Sequence, residues 1–352
     1  MLNVGLLRNR HSLKESVEGR FSKYYNVLFR MGAHYGLRWI WFTPKDISFE
    51  NNTVNGTFLE NDEYVKQTFE IPKIIDNNPV KGLDYDKFEE MGIYMLRKRG
   101  GGYNKIKTYE LLKEGGKFSE ILIPTQTVET LDDIVTSIDN YKSIVVKPTS
   151  GTAGKGLRKI SRLDDKFIII LDAKQYRYSY DELTRWYERH ILTRNFIIQP
   201  FINSVTKNGD PFDIRVQCNK GKGGKYVFKP YARIGDPKGF VANLATGGYG
   251  VPIDVFLRTN YDDAETREFI NNKLFELGTQ FPDYYASFAT KDIFDMSLDM
   301  GVTTQEDSPS EPVRFWLYEV NALGLGNSFT GYEEAVGHSQ YIVHLAEKLG
   351  LK

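Results

Sequence analysis

Hydrophobic and polar positions along the chain follow two different periods, which predicts helices interleaved with strands. Short apolar runs at residues 2–7 and 37–42 have the length of buried strands, and residues 19–36 between them carry aliphatic and aromatic side chains at helical spacing. Strand, helix and strand in this order are typical of an α/β layer. We therefore expect an N-terminal α/β domain at residues 1–96.

The pattern changes after a basic, glycine-rich stretch at residues 97–102. Beyond it, short helices and strands alternate as far as residue 201, whereas from residue 213 onward long strands flank a glycine turn that is typical of an antiparallel sheet. We therefore expect a second domain at residues 97–201 and a third at residues 202–352, and a mixed α/β (α+β) fold class overall.

Composition restricts the classes of function. The 352 residues are 41% hydrophobic, which is enough for a large core, and 46 Lys and Arg balance 46 Asp and Glu. A net charge of zero gives no global field for nucleic acid or an anionic membrane surface. The lone Cys218 cannot form an intramolecular disulfide, and no apolar run reaches the roughly 20 residues of a membrane helix. We expect a cytoplasmic protein.

A glycine-rich loop follows the predicted strand that ends at Lys147. Backbone amides freed by glycine can bind oxyanions, and a lysine at the strand end can reach the same phosphates. The loop is not a Walker A motif, because Leu157 follows its last glycine where that motif has a lysine. A plain glycine-rich turn remains the alternative. The candidate phosphate-binding residues of the loop are Ser150, Gly151, Gly154 and Gly156.

Two further lysines, Lys105 and Lys107, lie at the start of a predicted helix upstream of Lys147. Lysines from separate segments can contact different phosphates of one nucleotide. The alternative is a basic helix start exposed to solvent.

Acidic and amide side chains occur in two apolar segments near the C terminus. Glu319 and Asn321 are two residues apart in one predicted strand and share a face, and Asp295 and Asp299 share a face of another. Carboxylate and amide oxygens from neighbouring strands suit a hard cation such as Mg²⁺. In the alternative, Asp299 begins a turn with Gly301 and Glu319 pairs with an arginine.

Charged and polar residues also occupy the strands between these groups. Asp213 and Arg215 share one strand face, and Lys229 and Arg233 share a face of the next. Such residues either form surface ion pairs across the strands or make a cationic wall for a carboxylate or acyl phosphate.

The order of these motifs resembles that of the ATP-grasp superfamily, and within it the YheC/YheD endospore coat-associated group most closely, with glutamate-ligase-like enzymes more distant. The shared order is a lysine before a helix, a strand-end lysine with a glycine-rich flap, strands with arginines, and a final Glu-x-Asn strand. The resemblance implies an ATP-grasp fold, with an N-terminal pre-ATP-grasp domain and ATP bound between two α+β subdomains.

The resemblance also implies roles for individual residues. Lys105 and Lys147 match the lysines that contact ATP, although Lys107 is close enough to be confused with Lys105, and residues 150–156 match the flap over the phosphates. The adenine neighbours are Gln199, Phe201 and Ile202, and Asp213 is grouped with the nucleotide-binding residues. The metal ligands are Asp295, Glu319 and Asn321. The residues that face the γ-phosphate and the acyl intermediate are Arg215, Arg233 and Asn243.

The implied activity is that of a carboxylate-amine ligase that uses ATP and two Mg²⁺ ions to form an acyl phosphate, which an amine then attacks. The implied partners are a small-molecule carboxylate and amine, for which an amino acid or a peptide is one possibility, with no nucleic acid and no membrane, in a monomer or homodimer. Two alternatives are an ATP-grasp kinase, with Asp213 or Asp299 as the base, and a non-catalytic nucleotide-binding protein of a spore coat.

Overall fold

The computed structural model contains three β-sheets with helices packed against them. No described helix is long and apolar enough to cross a membrane. The structure describes residues 1–9, 13–18, 22–78, 80, 82–97, 105–149, 156–242, 244, 247–288, 293–305, 311–322 and 330–351.

The N-terminal sheet has seven strands, in the order β3-β4-β2-β1-β6-β7 with β5 paired to β4. Strand β1 runs parallel to β2 and to β6, as expected for an α/β layer. The strands are β1 (Leu2–Leu7), β2 (Leu37–Phe42), β3 (Ile47–Ser48), β4 (Thr53–Glu60), β5 (Glu63–Glu70), β6 (Ile74–Asn77) and β7 (Tyr94–Met95). The helices of this region are α1 (Leu13–Glu18), α2 (Ser22–His34) and α3 (Tyr85–Glu90).

The central sheet has six antiparallel strands in the order β12-β11-β10-β9-β13-β8. Its strands are β8 (Gln126–Thr127), β9 (Ser143–Pro148), β10 (Arg158–Leu163), β11 (Lys166–Leu171), β12 (Lys174–Tyr178) and β13 (Phe196–Pro200). The helices of this part are α4 (Lys105–Gly115), α5 (Leu131–Tyr141) and α6 (Tyr180–His190). Both α5 and α6 begin with a capping box, in which the side chains of the first and fourth residues bond reciprocally to the backbone.

The C-terminal sheet has five antiparallel strands in the order β16-β15-β14-β17-β18. Its strands are β14 (Phe212–Lys220), β15 (Tyr226–Ile234), β16 (Tyr249–Pro252), β17 (Asp295–Thr304) and β18 (Val313–Asn321). Its helices are α7 (Ile253–Asn260), α8 (Ala264–Phe288) and α9 (Gly331–Lys348).

The two faces of the C-terminal sheet differ sharply in polarity. Even-numbered side chains such as Val216 and Leu298 lie in the largest hydrophobic core, against Leu277 of α8. Cys218 also lies on this face, and burial raises the pKa of its thiol. The odd-numbered residues of β14 and β17 are polar or charged and point to the other face. The candidate chemistry of this sheet is therefore collected on one side.

Two short segments differ from the sequence prediction. The alternation of apolar and polar residues at 51–80, with its Asn and Gly turns, is typical of short hairpin strands, but β6 instead joins β1 in parallel, because its buried apolar residues continue the core of that layer. The short apolar run at residues 121–124 is typical of a strand, whereas Ser119–Ile121 is a 3₁₀ turn and Leu122 makes a single bridge to Leu317. This bridge brings the central region against β18.

Buried ion pairs join the N-terminal sheet to the C-terminal sheet. Asp76, at the end of β6, is fully buried and accepts hydrogen bonds from both Arg8 and Arg97. Arg97 also donates to Asp295 on β17, at 2.5 Å. Burial alone would raise the pKa of Asp76, but the two arginines hold it below its usual range. Arg97 thus links these two buried carboxylates directly.

We predict that Arg97→Met lowers the free energy of unfolding by about 3–5 kcal/mol, because it leaves two buried carboxylates with one cation fewer. Denaturant unfolding measures the change. The matched control is Arg30→Met, which removes an exposed pair with Asp62 and should cost under about 1 kcal/mol. Equal losses in the two variants would contradict the bridging role of Arg97.

Candidate functional site

A cleft lies between the central sheet and the C-terminal sheet, where β9, β13 and α4 face β18. It has a free volume of about 210 Å³. Five aliphatic side chains line it together with two lysines and a glutamate, a composition that suits a planar ring with an anionic tail. The lining residues are Lys105, Thr108, Tyr109, Leu112, Leu122, Lys147, Thr149, Ile197, Gln199, Leu317, Tyr318, Glu319 and Val320.

The two predicted lysines meet Glu319 in this cleft. Lys105 is the first residue of α4, and its Nζ lies 3.4 Å from Glu319 Oε1. Burial, with the charge of Lys105 adding to it, lowers the pKa of Lys147 to about 8. Lys107 instead points to the surface, where it pairs with Glu110. Lys105, and not Lys107, therefore lines the cleft, a choice that the sequence alone leaves open.

A β-bulge at Tyr318 aims Glu319 and Asn321 into the site. The register of β18 against β17 pairs Leu317 with Met300 and then Glu319 with Asp299, so that Tyr318 is one extra residue. The shift places Leu317 in the apolar core while Glu319 joins the polar face of the sheet. Without this extra residue, the period of two would place Glu319 on the same face as Leu317.

The bulge is also tied to Lys147 and to Gly301. The backbone carbonyl of Tyr318 accepts a hydrogen bond of 3.0 Å from Lys147 Nζ. A Cβ atom at Gly301 would lie 2.3 Å from the Tyr318 hydroxyl, so any other residue there would displace the ring. The bulge therefore positions both the glutamate and the strand-end lysine of the site.

Asp299 lies between two arginines on the polar face. Arg215 donates two hydrogen bonds to it, at 2.7 and 2.8 Å, and Arg233 lies 3.0 Å away. Arg233 also donates to both carboxylate oxygens of Asp213. Burial alone would raise the pKa of Asp299, and the two arginines instead lower it. The four side chains form a compact cluster of paired charges, so the predicted Arg215, Arg233 and Asp213 are brought together.

Asp299 and the residues of β18 that face it carry oxygen atoms of the kind that a hard cation prefers. Asp299 pairs with Glu319 across the ladder, Asn321 lies at the next position on the same face, and its amide nitrogen is 3.4 Å from an Asp299 oxygen. Two carboxylates and an amide fit Mg²⁺ in chemistry. No group of three His, Cys, Asp or Glu side chains suited to a metal occurs in the described part of the chain.

Asp295 lies away from this donor set. It is on the same face as Asp299 but four residues earlier in β17, where it pairs across the ladder with Asn219 of β14. Its carboxylate is 6% exposed and bonded to Arg97. Asp299, and not Asp295, therefore stands opposite Glu319 in the ladder.

The predicted base-binding residues divide into two groups. Gln199 lines the cleft, and its amide nitrogen donates to the Thr125 hydroxyl at 2.7 Å, which fixes its orientation. Phe201 and Ile202 follow β13 and are outside the set that lines the cleft. The Phe201 ring lies 3.6 Å from the Lys159 ammonium, and the Ile202 carbonyl accepts from the Tyr318 hydroxyl.

Part of the predicted site lies outside the described residues. These residues are Ser150, Gly151, Gly154 and Asn243. Gly156 is described and has a left-handed φ of 76°, and its carbonyl accepts from Arg158 at 2.6 Å. Thr149, the last described residue before the loop, lines the cleft beside Lys147.

Sequence reasoning missed most of the apolar wall of the cleft. Leu112, Leu122 and Ile197 come from separate elements, and only tertiary packing brings them together. The sequence does show a short apolar segment around Leu122 between polar residues, and this pattern indicates that Leu122 packs against another element.

Comparisons with known proteins agree with this architecture. A model of the YheC/D like ATP-grasp family matches residues 95–345. The endospore coat-associated protein YheC of Bacillus subtilis (strain 168) is 22% identical over 339 residues, which are 92% of this chain and 88% of YheC. YheD of the same strain is also 22% identical, over 80% of this chain, and the chain spans only 63% of its length.

A solved structure shows the same fold. D-alanyl-alanine synthetase A from Vibrio cholerae O1 biovar eltor superposes with a TM-score of 0.55 at 13% identity, and the match covers 99% of this chain and 98% of that one. At this identity the similarity concerns the fold alone.

We predict that Asp299→Asn lowers the free energy of unfolding by about 3 kcal/mol, because two buried arginines lose the carboxylate between them. Denaturant unfolding without nucleotide or metal measures this effect. The control is Asp254→Asn, which breaks an exposed pair with Arg258 and should cost less than about 0.5 kcal/mol. A loss at Asp299 no larger than that of the control would mean that the cluster does not depend on this charge.

Proposed function

The chain belongs to the YheC/D-like ATP-grasp family, and from this premise we propose that it is an ATP-dependent ligase that joins a carboxylate to an amine through an acyl phosphate. The observation that carries the proposal is that Lys105, Lys147 and Glu319 come together in a cleft that is also lined by aliphatic side chains. A ring in the apolar part of the cleft would direct its phosphates toward the two lysines.

The proposed reaction depends mainly on stabilising the negative charge of the transferred phosphoryl group. A carboxylate oxygen of the first substrate attacks the γ-phosphorus of ATP, and the bond between that phosphorus and the β–γ bridging oxygen breaks to release ADP. The amine nitrogen then attacks the acyl carbon, phosphate leaves with the electrons of the C–O bond, and the nitrogen loses a proton. Each step moves negative charge across the phosphoryl group, which positioned cations stabilise.

The residues of the site have distinct proposed roles. Lys105 and Lys147 would hold phosphate oxygens, and Arg215 and Arg233 would face the acyl phosphate. Asp299, Glu319 and Asn321 would hold Mg²⁺, which when bound neutralises phosphate charge. We propose Asp299 in place of Asp295, because Asp299 stands directly opposite Glu319 in the ladder, whereas Asp295 lies four residues earlier in β17.

Two features favour a ligase over a kinase. A kinase would need a base to take the proton of a hydroxyl, and its candidates are Asp213 and Asp299. The two arginines lower the pKa of Asp299, which weakens it as a base. Burial raises the pKa of Asp213 to about 6, but both of its carboxylate oxygens already accept hydrogen bonds from Arg233. A carboxylate substrate is ionised at neutral pH and needs no base to attack phosphorus. We propose that the reaction takes place in the cytoplasm, with small molecules as substrates.

We predict that the protein with ATP, Mg²⁺ and mixed carboxylates and amines releases ADP and phosphate in equal amounts, together with a new amide. Glu319→Gln should lower this turnover by about 100-fold or more, because the proposed Mg²⁺ site loses one of its two carboxylates. Coupled ADP assays and mass spectrometry of the products provide the measurement. Lys107→Ala, on the exposed side of the first turn of α4, is the control and should retain full activity.

Other products would reject the ligase. A phosphorylated hydroxyl compound without free phosphate would indicate a kinase. Bound ATP that yields no ADP with any mixture would indicate a nucleotide-binding protein without turnover. Full activity of Glu319→Gln would reject the proposed metal site.

We predict that the affinity for ATP falls as the pH rises above about 8. Burial holds the pKa of Lys147 near 8 in the free protein, and bound phosphate favours its charged form. Affinity is therefore complete below this pKa and decreases by at most roughly tenfold per pH unit above it. Calorimetry with a non-hydrolysable ATP analogue and Mg²⁺ measures the profile.

The control for this pH profile is Lys147→Arg. Arginine remains charged throughout the range, so the variant should bind the analogue with a flatter dependence on pH. The same slope in the variant and the parent would show that another group controls the affinity.

A further inference from the structure

The polar face of the C-terminal sheet extends beyond the proposed metal ligands. Gln217 of β14 pairs directly with Ser297 of β17, and Ser297 pairs on its other side with Asn321. Paired residues in an antiparallel ladder point to the same face with their Cβ atoms about 5 Å apart. Gln217 and Ser297 therefore lie one row, or about 7 Å along the strand, from Asp299.

Both side chains are buried without partners. Gln217 is 1% exposed and Ser297 is fully buried. Within the described residues neither the amide oxygen nor the amide nitrogen of Gln217 has a hydrogen bond, and the Ser297 hydroxyl also lacks one. Asp295, two residues from Ser297 on the same face, bonds Arg97 through one oxygen, while Oδ1 is buried and unbonded in this part of the chain.

Buried polar groups without hydrogen bonds destabilise a fold unless a ligand bonds to them. Each buried polar group without a partner costs about 1–3 kcal/mol, and native structures rarely contain several side by side. The neighbouring apolar face of the same strands shows that this sheet accepts aliphatic residues, as at Val216 and Leu298. The unbonded atoms therefore point to a ligand that supplies their hydrogen bonds.

The start of α9 covers this region with acidic side chains. Glu333 pairs with Lys229 of β15 at 3.1 Å, which places the first turn of the helix over the sheet. Glu334 is buried and accepts a hydrogen bond from Thr330. Burial, together with the nearby charge of Asp295, raises the pKa of its carboxyl. We call Gln217, Asp295, Ser297 and Glu334 the inner polar cluster.

We propose that the inner polar cluster binds the primary amine of the acceptor substrate, an inference that rests on the proposed ligase function. An ammonium group has three donors and no acceptor. The free oxygens of Gln217, Asp295 and Ser297 are three acceptors on one face of the sheet. Their position one row from Asp299 places the amine next to the proposed acyl phosphate. The bound ammonium gives one proton to the unbonded Asp295 Oδ1, which provides the lone pair that attacks the acyl carbon. The second proton is lost after the attack, as phosphate leaves.

The test is a binding measurement that needs no turnover. The full chain is saturated with Mg²⁺ and a non-hydrolysable ATP analogue, and glycinamide is added as a cationic primary amine. N-acetylglycinamide, which lacks the charge, is the matched probe. Calorimetry and thermal unfolding should detect glycinamide but not N-acetylglycinamide at the same concentration and ionic strength.

The variants Gln217→Met and Ser297→Ala test the residues. Each should melt at or above the parent temperature without the probe, because an unpartnered polar group has been removed. Each should bind glycinamide roughly tenfold more weakly, the loss expected for one hydrogen bond to a charged group, with unchanged affinity for the ATP analogue. The control is Ser339→Ala, a buried serine whose hydroxyl already donates to Ala335. It should leave glycinamide binding unchanged.

Several results would overturn the assignment. Equal binding of glycinamide and N-acetylglycinamide would exclude an ammonium site. Unchanged glycinamide binding in both variants would exclude these residues, whatever happens to the melting temperatures. If glycinamide binds through Gln217 and Ser297 but no mixture yields an amide, the amine site stands and the ligase reaction is rejected.

Discussion

The candidate site depends on one irregularity in one strand, the extra residue Tyr318 in β18. The first half of this strand contributes Phe315 and Leu317 to the hydrophobic core. The bulge reverses the alternation, so that Glu319 and Asn321 reach the polar face opposite Asp299, and the Tyr318 carbonyl accepts the hydrogen bond of Lys147. One strand thereby both anchors the core and provides acidic and amide side chains to the cleft.

The zero net charge of the chain is the sum of strong local charges. Asp299 lies between Arg215 and Arg233, and Asp76 lies between Arg8 and Arg97. These buried pairs compensate their own charge, so they create no attraction for a distant polyanion. The lysines of the cleft differ, because Lys147 is buried beside a second cation and its pKa is lowered for that reason. An anionic ligand would relieve this repulsion.

The sequence predicts those parts of the site that depend on local order. Strand-end Lys147, helix-start Lys105 and the Glu319–Asn321 spacing can be read from hydrophobic periodicity and the shared order of motifs. The choice between Asp295 and Asp299 cannot, because both share one face of β17 and only the register against β18 and the contact with Arg97 separate them. The fold classes of the sheets were predictable, whereas the parallel pairing of β6 depends on contacts far apart in the chain.

The most direct test of the account is anomalous diffraction from crystals grown with ADP and Mn²⁺, in which Mn²⁺ replaces Mg²⁺. The account predicts adenine in the cleft between Leu122, Ile197 and Leu317, and an anomalous peak within about 2.2 Å of oxygens from Asp299 and Glu319. A peak at Asp295, or ADP bound outside this cleft, would contradict it.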